Sequence, residues 1–263
     1  MSIHTRSHSP ERGAGLAVES PFLWRARRAE HTHQLVCFPQ AGGGAGAFGD
    51  WPQQLPAGIE VLAVQLPGRQ NRLLEDPATE AGPLVRTLIQ ALRPLLDGPF
   101  SFFGHSSGAL LAYELAQALQ ARGGPAPAHL FFSGQASPIP FRDRPRLAGL
   151  SEQEFRAEVL RLGGFDEEVM QDEEALEALL PPVLADFALW EQHPISVTPR
   201  LAAPITALVG ESDSRVPVEH MATWRDHTDA EFELKVYPGG HFYLFDQPVG
   251  TELLEFIAAR LTA

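Results

Sequence analysis

Residues 100–119 read FSFFGHSSGALLAYELAQAL. Phe100–Phe103 is a short apolar run of strand type, and the residues from Ser106 to Arg122 carry a helical pattern. Between them sits Gly104-His105-Ser106-Ser107-Gly108. A G-x-S-x-G pattern on a strand-turn-helix is the nucleophile elbow. Its turn is so sharp that a side chain at either glycine would meet neighbouring backbone. The serine between them is held strained, with its hydroxyl at the top of a sheet. The bland alternative is a Gly/Ser turn with Ser106 or Ser107 capping a helix. The strand before and the helix after weigh against it.

Outward from this stretch, β-forming apolar runs alternate with helical patterns. Strands are predicted at Gln34–Phe38, Glu60–Leu66, Phe100–Phe103, His129–Ser133, Ile205–Val209 and Phe232–Tyr237, with an extra antiparallel edge strand at Phe22–Arg25. Helices are predicted at Pro83–Leu96, Ser106–Arg122, Val218–Asp226 and Val249–Leu261. Most of the strands are apolar throughout, as expected where both faces are covered. The fold class is therefore α/β, a mostly parallel central sheet with helices on both faces. One segment breaks the alternation: two or three helices and no strand from about 150 to 192. A helical lid inserted at about 145–195 would lie over the carboxyl edge of the sheet, where such sheets bind ligands. Residues 1–20 read as a polar tail before a single domain at 21–263.

A serine hydroxyl needs a base, and the base needs an orienting acid. In this architecture they follow the serine in the order acid, then histidine, on loops after later strands. Asp213 falls just past the run Ile205–Val209, and His241 just past Phe232–Tyr237 on a glycine-rich loop. Glu211 is the alternative acid. The oxyanion needs two backbone N–H donors. Ser107 supplies one; the other comes from Gln40 or Ala41, in the loop Phe38-Pro39-Gln40-Ala41-Gly42-Gly43-Gly44. The same region contains Gly44-Ala45-Gly46-Ala47-Phe48-Gly49, a match to the dinucleotide-binding turn. That reading wants an acid at the end of the next strand, and Val64-Gln65-Leu66-Pro67 has none.

The chain has 263 residues and a formal charge of −13, which disfavours nucleic acid and anionic membranes as partners. No apolar run approaches the roughly 20 residues that span a bilayer. The lone Cys37 fits a reducing, cytoplasmic setting. No histidine, cysteine or carboxylate spacing suggests a metal site.

Taken together, these segments resemble the α/β-hydrolase superfamily, and within it the type II thioesterases of polyketide and non-ribosomal peptide synthesis. The resemblance rests on Cys37–Gly43, on Gln65-Leu66-Pro67-Gly68-Arg69-Gln70-Asn71-Arg72, on the elbow, and on Leu180-Pro181-Pro182-Val183-Leu184-Ala185-Asp186-Phe187. Gly210–Asp213 and Gly239-Gly240-His241-Phe242 complete it. Two positions depart from the family pattern: Gln40, where histidine is usual, and Ser107, where a bulkier apolar residue is usual. The resemblance implies a Ser106–His241–Asp213 acyl-enzyme mechanism on thioesters of the phosphopantetheine arm of acyl or peptidyl carrier proteins. It implies no cofactor beyond the phosphopantetheine that the substrate itself carries. Such carriers are acidic, and residues 151–178 hold ten acids against two bases. Carrier docking is therefore assigned to Arg142, Arg144 and Arg146. The competing activity is a lipase- or esterase-like hydrolysis of small esters.

Overall fold

The computed structural model describes residues 15–96, 98–142, 146–162 and 172–262. Its strands are β1 (Ala17–Ser20), β2 (Leu23–Ala26), β3 (His33–Phe38), β4 (Ile59–Val64), β5 (Phe100–His105), β6 (His129–Ser133), β7 (Ile205–Gly210) and β8 (Phe232–Tyr237). They form one sheet in the order β1-β2-β4-β3-β5-β6-β7-β8. From β4 to β8 every pairing is parallel, and β1 and β2 add an antiparallel edge.

The sheet is covered on both sides because its strands alternate within an apolar run. Val36, Phe38, Leu62, Phe102, Phe132 and Val209 point into one core. Leu35, Cys37, Val61, Phe103, Phe131 and Leu208 point into the other. Helices α2 (Ala81–Leu92) and α3 (Ser107–Ala121) close the first face, while α1 (Trp51–Gln54) and α8 (Val249–Leu261) close the second. Between β6 and β7 the chain builds α4 (Pro138–Arg142), α5 (Glu152–Leu162) and α6 (Glu173–Gln192); α7 (Val218–Ala222) follows β7. A third, small apolar cluster of Leu147, Phe155, Val159, Val183 and Phe187 holds this insertion together.

Two expectations for the N-terminus need correction. Ala17–Ser20 falls within the expected tail but forms a strand, paired Ala17 to Arg25 and Val18 to Trp24. Four residues with half-exposed side chains carry too little pattern to be read as strand, and backbone pairing to β2 is what orders them. That pairing also moves β2 inward: Leu23 pairs with Val64 and Ala26 with Val61, so β2 is flanked on both sides and β1 is the edge.

Candidate active site

Ser106 sits between β5 and α3 with φ 53° and ψ −127°, a conformation that costs a non-glycine residue energy. The two glycines of the motif make the turn sterically feasible. A Cβ on Gly104 would lie 2.6 Å from the backbone N of Ala109, and one on Gly108 would lie 2.6 Å from the carbonyl carbon of Phe38. Close packing of helix against strand thus demands glycine at both places.

The acid and the histidine arrive on two loops joined to each other. The Glu211 N–H donates to the Tyr237 carbonyl at 2.8 Å, and the Ser212 N–H to the Gly239 carbonyl at 2.9 Å. Gly210 permits this approach, since a side chain there would run into the Gly240 carbonyl. In consequence Asp213 Oδ2 lies 2.8 Å from His241 Nδ1, and His241 Nε2 lies 3.1 Å from Ser106 Oγ. The structure therefore brings together the three side chains expected from the sequence. Asp213 Oδ1 accepts the N–H groups of Arg215 (2.8 Å) and Val216 (2.9 Å). Burial alone would raise the Asp213 pKa. The His241 hydrogen bond and charge, helped by those two N–H donors, outweigh it and hold the carboxyl below its ordinary value. Glu211, the alternative acid, is exposed, whereas Asp213 is buried.

Ser107 opens α3, so its N–H has no partner within the helix. Gln40 and Ala41 lie in the loop after β3, which Gly108 meets at the Phe38 and Pro39 carbonyls. The N-terminus of a fifteen-residue helix and an adjacent loop thus flank Ser106, an arrangement suited to developing negative charge. The dinucleotide-like glycines are occupied differently. The Ala45 N–H donates to Gln65 Oε1 at 2.8 Å and the Gly46 N–H to Gln70 Oε1 at 3.3 Å. Glutamine side chains take the place a phosphate would need.

Three features escaped sequence reasoning. His105 is fully buried, with Nδ1 2.9 Å from Ser133 Oγ, which in turn lies 2.8 Å from the Tyr243 hydroxyl. Asp186 on α6 contacts Arg69 and Gly42, pairs more than a hundred residues apart in sequence. Arg215 lays its guanidinium over Phe187 at 4.9 Å. Of the arginines assigned to docking, Arg142 and Arg146 line one cleft with Arg215, Trp190 and His193, and Arg144 lies outside the described residues. Among the described residues no group of three or more His, Cys, Asp or Glu side chains is arranged to hold a metal, and no helix is long and apolar enough to cross a membrane.

Comparison with known proteins converges on one family. The Thioesterase domain family model matches residues 33–261. The gramicidin S biosynthesis protein GrsT of Aneurinibacillus migulanus is 38% identical over 229 residues, covering 87% of this chain and 88% of the relative. Among solved structures, the type II thioesterase BorB from the borrelidin biosynthetic cluster superimposes with a TM-score of 0.84 at 35% identity, over 93% of this chain and 99% of that one. YbtT, a type II thioesterase from the yersiniabactin NRPS/PKS biosynthetic pathway, gives 0.78 at 28% identity, over 92% and 98%. An α/β-hydrolase sheet with a serine at its elbow, matched over nearly all its described length to such proteins, hydrolyses thioesters: the chain belongs to the thioesterase family.

Proposed function

We propose that this thioesterase clears acyl groups from the phosphopantetheine arm of acyl or peptidyl carrier proteins of a polyketide or non-ribosomal peptide synthase. The observation that carries the chemistry is the contiguous Asp213–His241–Ser106 chain of hydrogen bonds. Ser106 Oγ attacks the thioester carbonyl while His241 Nε2 takes its proton, and Asp213 holds the imidazole in the required orientation. The N–H groups of Ser107 and of Gln40 or Ala41 receive the oxyanion. The tetrahedral adduct collapses, the carbon–sulfur bond breaks, and the proton on His241 goes to the departing pantetheine thiolate. Water then loses a proton to His241, attacks the acyl-serine, and releases the carboxylic acid with Ser106 restored. No step requires a cofactor.

The insertion serves as the lid, and its acidic segment repels an acidic carrier. Docking therefore falls to the opposite charge on Arg142 and Arg146, both exposed at the mouth of the cleft beside α6. The biosynthetic descriptions of BorB and YbtT support the carrier as substrate. Mass spectrometry of a panel of acyl-loaded carrier proteins, before and after incubation, tests the proposal. Free acid and deacylated carrier are expected. Turnover of a small oxygen ester alone, with carriers untouched, would replace it with a plain esterase. Charge reversal at Arg142 and Arg146 should slow carrier substrates while sparing a small free thioester; equal losses on both would remove the docking role.

A further inference from the structure

The loop that supplies the second oxyanion donor packs on the insertion as much as on the sheet. Ala41 joins the apolar cluster of Val183, Phe187, Phe155, Val159 and Leu147. Gly42, at φ +71°, leaves no room for a side chain because Val183 occupies that space. Three residues on, on the same face of α6, Asp186 reaches the same loop. Its Oδ2 accepts the Gly42 N–H at 2.8 Å and also a hydrogen bond from Arg69 Nη1. Its Oδ1 accepts Arg69 Nη2 at 3.1 Å. Both side chains of the ion pair are buried. Arg69 is fixed in turn, since its Nε donates to the Pro67 carbonyl at 3.1 Å and its own carbonyl accepts Gln65 Nε2 at 2.8 Å.

Resting on the function proposed above, we infer that Asp186 is a positioning residue for the oxyanion loop. It holds the loop at the Gly42 N–H from the lid side, while Gly108 of the nucleophile helix lies against the Phe38 and Pro39 carbonyls at the loop's start. The carboxylate thereby makes docking of α6 and completion of the oxyanion hole one event. A buried ion pair by itself is weak evidence for stability. The Gly42 N–H adds a different kind of evidence, since it ties that pair to the loop proposed above to supply the second oxyanion donor.

Two double variants separate positioning from stability. Arg69→Met with Asp186→Leu replaces the ion pair by apolar side chains and removes the acceptor for Gly42. Arg69→Met with Asp186→Asn also removes the charge pair but keeps an amide oxygen for the Gly42 N–H. Replacing a buried ion pair by apolar groups is often neutral for stability. Arg69→Met with Asp186→Ala supplies the same comparison if the bulkier leucine prevents folding. The readouts are kcat and KM on an acyl thioester and its oxygen ester, thermal midpoints, and affinity for an alkylboronic acid. The boronic acid forms a tetrahedral anion on Ser106 without turnover.

The leucine pair is expected to lose about 10²-fold in kcat and in boronate affinity, the scale of losing one oxyanion donor, with KM changed less than about threefold. The asparagine pair is expected to recover most of that loss at a similar thermal midpoint. Equal kcat and equal boronate affinity in the two doubles would overturn the assignment. A wild type silent on thioesters would count against the function proposed above. The boronate comparison, which needs no turnover, would still decide the role of Asp186.

Discussion

The rings of His105 and His241 lie 5.1 Å apart, tilted by 43°. Burial pushes the His105 pKa well below its ordinary value, and the neighbouring His241 pushes it the same way. The elbow histidine is thus a neutral wall beside the base. It is tied to Ser133 through Nδ1, while its Nε2 is buried with no partner among the described residues. His105→Phe keeps a ring of similar size. It should leave the shape of the pH dependence of kcat/KM between pH 5 and 9 unchanged and lower its height less than about tenfold, whereas loss of the base costs orders of magnitude. Disappearance of one limb of the profile in His105→Phe would show His105 acting as an acid or base.

The positive φ at Ser106 predicts stored strain. Ser106→Ala and Ser106→Gly both remove the nucleophile, and both should be inactive. Only glycine relieves the backbone, so Ser106→Gly should exceed Ser106→Ala in stability by about 1–2 kcal/mol in urea unfolding. Equal midpoints would mean the elbow is unstrained.

Asp213 carries a pH signature as well. Its pKa is lowered in the folded state, so the unfolded chain takes up the proton first as pH falls. The resulting stabilisation is complete above the unfolded-chain value of about 4 and is lost as pH falls through the folded value. Asp213→Asn should lack this acid-side loss. It should also reduce kcat by about 10⁴-fold, the cost of misorienting the histidine. Unfolding midpoints from pH 6 down to 3, alongside kcat, check both.

A histidine at the opposite end of the sheet also loses stability as pH falls, but through burial rather than through pairing. His129, stacked on Phe131 and bonded to Thr206, is pushed down to about 4, chiefly by burial. As pH falls below about 6.5 the unfolded chain binds a proton that the folded state refuses, so stability declines until about pH 4. His129→Gln should remove one proton from the pH slope of stability in that window and leave activity at neutral pH unaltered. An unchanged slope would contradict the burial argument.

The buried hub at Glu60 sets the scale for polar packing. Its carboxylate accepts from Arg25 Nε (2.8 Å), the Arg28 N–H (2.9 Å) and Gln34 Nε2 (2.9 Å). Glu60→Ala leaves the mostly buried Arg25 without its carboxylate and should cost about 3–5 kcal/mol. Arg156→Ala, at the exposed and solvent-screened pair with Glu173, should leave stability nearly unchanged. Denaturant midpoints for the two variants should differ accordingly.

What was legible in the sequence follows from where the information is local. The strands from β3 to β7 announce themselves because both faces are buried, which makes most of them near-continuous apolar runs, whereas β8 is a half-exposed edge strand whose Glu233 and Lys235 break the run. The elbow announces itself because its glycines are required by steric contact within a few residues. Asp213 and His241 are legible because the architecture fixes their order and their places at strand ends. Ala17–Ser20 carries no such pattern, since a four-residue edge strand is ordered by its neighbour. β5 runs on to His105, where Gly104 disguises the strand. The Asp186–Arg69–Gly42 contact was invisible for another reason: its partners belong to three segments that only the folded insertion brings together.

The most direct test of the central claim is a rapid acid quench of the enzyme mixed with an equimolar acyl-carrier protein, followed by mass spectrometry of the peptide holding Ser106. The account predicts a transient acyl adduct on Ser106, matched by free thiol on the carrier pantetheine and absent in Ser106→Ala. Loss of the carrier thioester with no acyl group ever found on Ser106, or loss undiminished in Ser106→Ala, would contradict it.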